Sequence, residues 1–354
     1  MQIDFHHGVT YVVARLAGFT DDEAATIAYA AQYVDDATNS GVITFDNGAM
    51  YERISSAHKM LDYRNFEELA NHRVWIPFHF LPGNGGKPAG EDPDGTFIDK
   101  LRCVPDSPVA RDMVRASFAA RRAPWALHRL GVTMHVYADT WAHQGFAGVN
   151  HALNDASDIV GADGAPDLGL VDRLVGYFVG EALPLGHGAV LGHPDRPFLV
   201  WGYTNGRGEQ ILRDNPTDFL AAAEAMHREL RRFRAGDPDA AQPGLPAHDR
   251  ALIAHLLRTL TDPDGDVRHA AWLDAIARGA FSFGPARPTY IPKGEGSWKH
   301  LALGTTAAHD DGDESFPYAP EFLRSDWKLF HDALQEHRFV VLHHILPRYG
   351  VCAA

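Results

Sequence analysis

Apolar positions recur at helical spacing along most of this chain. Residues 20–38, TDDEAATIAYAAQYVDDAT, predict a helix, with Thr20 and Glu23 placed as a capping box. Asp21, Asp22 and Glu23 fall where the helix dipole favours negative charge. Residues 8–17 predict a shorter helix ending at Gly18. Residues 108–122 predict another, with Pro108 in its first turn. Over 124–143 the apolar positions Leu127, Leu130, Met134 and Ala138 predict a longer helix. Helical spacing returns at 167–183, at 218–233, in AHDRALIAHLLRTL, in DVRHAAWLDAIARGAF and over 325–346. Strand signals are sparse, with RPFLVWGY at 196–203 the clearest, and residues 82–97 read as a loop. The pattern predicts a mainly α protein: a helical core over 1–240 and a helical C-terminal extension over 241–354 packed on it. The boundary is drawn at the linker-like RAGDPDAAQPGLPAHD.

Composition narrows the partners. The 354 residues suffice for a sizeable core, and 45% are hydrophobic. A net charge of −14 argues against a broad nucleic-acid-binding surface. A small anionic substrate stays compatible if bound metal reverses the local field. No window reaches the length of a membrane span, and the N-terminus has no basic start or long apolar run; a cytoplasmic location is expected. Two cysteines exclude a disulfide framework and a cysteine-based zinc site. Histidine is the outlier, at 21 residues, and metal ligation is its commonest chemical use.

MHVYADTWAHQGF holds His135, Asp139 and His143 at steps of four. Positions four apart on a helix drift by about 40°, so the three share one slowly curving face. That set suits zinc or another borderline divalent ion. His128 lies seven residues before His135 and either extends the set or packs beneath it. Further ligand-type groups are His6 and His7 in DFHHG, Asp35 and Asp36 at the end of an apolar helix, and His79 in IPFHFLPG. PLGHGAVLGHPDRPF adds His187, His193 and Asp195, with Arg196 beside them. His58, Asp62 and Arg64 form a looser set, suited equally to structure or substrate contact.

The order of these groups resembles the zinc-dependent phospholipase C and P1-type nuclease superfamily. More narrowly, DFHHGVTYVVARLAGF, IAYAAQYVDD and DTWAHQGFAG look like a group of bacterial proteins with that helical core. The resemblance covers roughly residues 1–200 and implies a multi-helix bundle holding zinc in a cleft. Carried over, His6 or His7 resembles the early histidine, Asp35 or Asp36 the first aspartate, and His79 the next histidine. His135 and Asp139 match the HxxxD pair, with Asp139 as bridging ligand. His143 resembles the following histidine but comes early, and His187 resembles the last. The family then has a carboxylate four residues on, where this chain has Leu191. His193 or Asp195 substitutes, or the third metal site is missing. The phospholipases also use a processed N-terminal amine as ligand. Met1 with no leader speaks against that here, so two metals or a mixed site is expected.

The function these readings predict is metal-dependent hydrolysis of a phosphoester or phosphodiester, with two or three zinc ions. Asp139 would bridge and Asp36 act as base. Arg64 or Arg196 would bind the anionic substrate. Iron or manganese chemistry on the same scaffold is the alternative, and a non-catalytic structural metal the third.

Overall fold

The computed structural model describes residues 1–57, 68–165, 186–308 and 314–352. The expected helix at 167–183, and the residues His58, Asp62 and Arg64, lie outside the described residues.

Helices form where apolar spacing and capping chemistry agree. The chain opens in a fully buried π-helical turn, Asp4–Val9, which runs straight into α1 (Thr10–Leu16). Thr20 and Glu23 exchange hydrogen bonds and start α2 (Asp21–Asp36). A hairpin follows, β1 (Gly41–Phe45) and β2 (Met50–Arg53), reversed at Asn47-Gly48 with Gly48 at φ 83°. α3 (Glu68–Phe78) ends one residue before His79. α4 (Phe97–Leu101) and α5 (Pro108–Ser117) follow, the latter capped by Ser107. Next come α6 (Ala126–Ala142), then β3 (Ala156–Gly161), β4 (Val200–Asn205) and β5 (Gln210–Asp214). The last third holds α7 (Asn215–Ala235), α8 (Ala247–Thr259), α9 (Gly265–Ala277) and α10 (Trp298–Leu303). β6 (Ser315–Phe316) and α11 (Asp326–Phe339) complete it, with α11 continuing as a second π-helical turn, Val340–Ile345.

The expectation of a mainly α, multi-helix bundle is corrected. The protein is about 52% helical and 10% strand, with two three-stranded sheets, which makes it mixed α/β. One sheet runs β2-β1-β6, antiparallel then parallel, and the other β3-β4-β5, antiparallel throughout. The strands span two to six residues, and β1 alternates buried and exposed over only three positions. Such short one-sided strands leave little periodicity to read.

α6 is the axis of the fold. Every residue from His128 to Ala142 is buried, and α2, α5, α7 and α11 pack around it. Gly131 allows the closest approach: a Cβ there would lie 2.4 Å from the Ile27 carbonyl oxygen and 2.7 Å from Ala30 Cβ. The segment after residue 240 shares this core. Ile253, Leu257, Trp272, Ile276 and Val341 belong to the same apolar cluster as Phe5, Val12 and Met134.

Candidate metal centre

The C-terminal half of α6 brings His135 and Asp139 one above the other, as their spacing predicts. Around the Asp139 carboxylate lie the His6, His79, His135 and His143 rings, each with a nitrogen within 3.8 Å. His135 Nε2 and His79 Nδ1 are 3.3 Å apart, and lie 3.3 and 3.5 Å from Asp139 Oδ2. Asp35 Oδ1, from the end of α2, is 3.8 Å from both nitrogens. Ligands at about 2.0–2.1 Å from a tetrahedral ion stand ~3.3 Å from one another. The His79, His135 and Asp139 atoms match three corners of such a site, with the Asp35 oxygen somewhat farther off.

Backbone carbonyls aim the rings. His135 Nδ1 donates to the Ala31 carbonyl at 2.7 Å, His79 Nε2 to Ser56 at 2.9 Å and His143 Nδ1 to His79 at 2.8 Å. His187 Nδ1 donates to the Leu191 carbonyl at 2.7 Å. A nitrogen that donates fixes the tautomer, so in each ring the other nitrogen carries its lone pair toward the carboxylates. His6 differs. It is fully buried and stacked on His135 at 3.8 Å between centroids, and no well-directed hydrogen bond reaches either ring nitrogen. Asp139 Oδ2 is likewise buried without a hydrogen bond. Orphaned polar atoms of this kind are costly unless a ligand satisfies them.

A further group joins the first. His143 Nε2 lies 3.2 Å from Asp195 Oδ1, and His187 Nε2 3.4 Å from Asp195 Oδ2. His143 terminates α6 in a non-helical conformation. It therefore turns off the face of His135 and Asp139, which explains its early position in the sequence. Leu191 stands where the resemblance implies a carboxylate, and its part is played by the backbone. Held at φ 49°, it turns its carbonyl onto His187, and Asp195 supplies the carboxylate. The α-amino group of Met1 lies between the two groups, 2.7 Å from Asp139 Oδ1 and 3.2 Å from Asp195 Oδ1. Met1 therefore sits beside both carboxylates as their ion-pair partner.

The electrostatics follow from burial among opposed charges. Burial alone would raise the Asp139 carboxyl, but the Met1 amine and then the surrounding histidines hold it well below the usual range. Asp195 behaves alike, with the amine and His187 outweighing burial. Burial would lower the Met1 amine, but Asp139, Asp195 and Asp35 raise it to about 11. Burial, with the neighbouring His135, pushes His6 well below its ordinary value, and burial takes His187 down to about 4. Burial raises Asp35. His79 moves the other way from those two rings, its burial outweighed by Asp139 and Asp35, which raise it. Imidazole nitrogens and carboxylates gathered in this way are a donor set suited to a divalent cation.

Not every expected residue arrives. Asp36 points off the cluster, its Oδ2 accepting from the Tyr290 hydroxyl at 2.5 Å and from Gln32 Nε2 at 3.3 Å. His7 turns the other way and pairs with His269 at 2.8 Å. His193 is buried edge-on to Trp201 and joins none of the three groups of metal-ligand type, which are His6-Asp35-His135, His79-His135-Asp139 and His143-His187-Asp195. Arg196 adjoins Asp195, and its carbonyl accepts from Asn215 at 2.8 Å. His128 bonds Asp326 at 2.9 Å on the far part of α6 and does not extend the set. The two adjacent His-Asp pairs among the described residues are also remote: Asp249 of His248-Asp249 bonds Ser282, and Asp332 of His331-Asp332 accepts from Tyr51. A cleft of about 370 Å³ lined by Arg111, Arg115 and Arg228 shares no residue with the cluster.

A family described as of unknown function, DUF6765, matches residues 1–345. No curated protein and no solved structure matches the chain.

Proposed function

This chain belongs to the DUF6765 family, and we propose that it is a metal-dependent hydrolase acting on a phosphoester. The observation that carries this reading is the near-equilateral arrangement of His79 Nδ1, His135 Nε2 and Asp139 Oδ2, at 3.3 to 3.5 Å, with Asp35 beside it. His6, Asp35, His79, His135 and Asp139 would hold one or two ions, and His143, His187 and Asp195 another. When bound, the ions supply Lewis-acid polarisation of a phosphoryl oxygen and make water acidic enough to attack.

The chain's own groups do the rest. Asp139 turns one oxygen to each side, Oδ1 toward Met1 and His6 and Oδ2 toward His79 and His135, which is the arrangement of a bridging ligand. Asp35 is a third exposed, while Asp139 is fully buried, so Asp35 meets solvent and substrate. Because Asp35 faces the cluster while Asp36 is turned to Tyr290, Asp35 rather than Asp36 would take a proton from attacking water. His187 and Asp195 are also partly exposed, so among the described residues the cluster is open on one side. That openness favours catalysis over a closed structural site. A phosphoester suits the local charge, since a loaded cluster would be positive within a chain of net −14.

The nitrogen and oxygen donors also suit iron or manganese, and metal identity separates that reading from zinc chemistry. The test is hydrolysis of bis-p-nitrophenyl phosphate and p-nitrophenyl phosphate by metal-loaded protein. Metal-dependent turnover that disappears in Asp139→Asn is expected. Bound metal with no turnover of either ester would overturn the phosphoester assignment.

A further inference from the structure

Two residues of α9 that face the π-helical turn carry a polar grip that the chemistry above does not use. Arg268 is fully buried, and its Nε donates to Asp4 Oδ2 at 2.6 Å. Its Nη1 donates to the Asp262 carbonyl at 2.5 Å, and its Nη2 to Gln2 Oε1. The guanidinium lies 5.5 Å from the centre of the Phe198 ring, three residues beyond Asp195. The other oxygen of Asp4 accepts from the Phe5 N–H at 3.1 Å. His269, the next residue, pairs with His7. One turn on, Trp272 lies against Gly8 so closely that a Cβ there would be 3.1 Å from Trp272 Cβ.

We propose that Arg268 is a positioning residue: through Asp4 and Gln2 it sets the π-helical turn so that His6 faces Asp139. The inference rests on the reading that the cluster holds metal. Three features support a directional role. His6 is the one histidine of the cluster whose ring no backbone carbonyl orients, so its placement must come from the turn that carries it. Asp4 and His7 lie on either side of His6 in sequence, and consecutive residues of α9 grip both. A buried ion pair is a poor source of net stability compared with apolar packing, but its geometry is specific. The contact with Phe198 extends the same grip to the segment that carries Asp195.

The test is zinc affinity and stoichiometry, measured by competition with a chromophoric chelator on the full chain. Arg268→Lys keeps the charge opposite Asp4 but cannot reach Gln2 and Asp262 together. The double variant Asp4→Asn/Arg268→Met removes both buried charges, so neither is left unpaired. Phe322→Leu, in a separate part of the core, controls for general destabilisation. The expected result is a cooperative melt for Arg268→Lys with zinc affinity at least tenfold weaker, or one ion fewer per chain, and normal zinc binding by Phe322→Leu. Normal affinity and stoichiometry in both Arg268 variants would overturn the proposal, and so would an equal loss in Phe322→Leu. Failure of the wild-type chain to bind zinc, iron or manganese would instead remove the metal reading itself.

Discussion

At the residue scale, Asp139 is where the account is most exposed to test. Its carboxylate is buried among four histidine nitrogens and the Met1 amine, so its charge demands cations. Asp139→Asn keeps the shape and removes that demand. Added zinc is expected to raise the melting temperature of the wild type and leave that of Asp139→Asn unchanged; an equal rise in both would show that Asp139 is no ligand. Leu191 offers a second, independent test. Its φ of 49° and ψ of −130° suit glycine. Leu191→Gly should relieve strain of roughly 1–3 kcal/mol, less the chain entropy that glycine adds. A gain of about 1 kcal/mol in chemical denaturation is expected, and a loss would place Leu191's value in its side chain. The sequence made His135 and Asp139 legible because a step of four on one helix fixes their relation. It left Asp35 and Asp36 open, because the choice turns on which side of α2 meets α6. Asp195 stands beside His193 as a candidate in the sequence, and only the fold chooses between them; Met1 is hidden from spacing altogether, since it reaches Asp139 across 138 residues of chain.

At the element scale, the site depends on how α2 meets α6. Asp35 rides on one helix, His135 and Asp139 on the other, and the His135 bond to the Ala31 carbonyl spans the seam. Gly131 keeps the seam close, so Gly131→Ala must push the helices apart. The expected cost is about 1–3 kcal/mol in urea denaturation, with weaker metal binding as Asp35 moves out of reach. Unchanged stability would mean that the seam relaxes without strain. The long helices were legible from their apolar spacing and caps, as α2, α6 and α7 show. The hairpins carried signals too, in Asn47-Gly48 and Asn205-Gly206, each at the reversal between paired strands. Those turns alone do not reveal the α/β character, because the flanking strands are short and half-exposed.

At the scale of the whole molecule, one continuous core ties the first residues to the last third, and α9 packs on the turn that carries His6. That long-range assembly is invisible to local pattern, which is why the extension after residue 240 read only as packing. Buried neutral histidines away from the cluster set an acid limit on this fold. Burial takes His227 down to about 4 and His331 down to about 3, from an ordinary value of 6.5. Values lowered on folding mean that protons bind the unfolded chain first. The stability these rings contribute is therefore full above pH 6.5 and is lost as pH falls toward 4 and then 3. Urea midpoints of chelator-treated protein should drop between pH 7 and 4.5, and His331→Phe should flatten that dependence. An unaltered slope in His331→Phe would assign the acid limit to other groups.

The most direct measurement is elemental analysis of the chain purified without chelators, wild type beside Asp139→Asn. The account predicts two or three zinc, iron or manganese ions per wild-type chain and a clear loss in the variant. Metal-free wild-type protein that gains no thermal stability from added zinc, iron or manganese would contradict it.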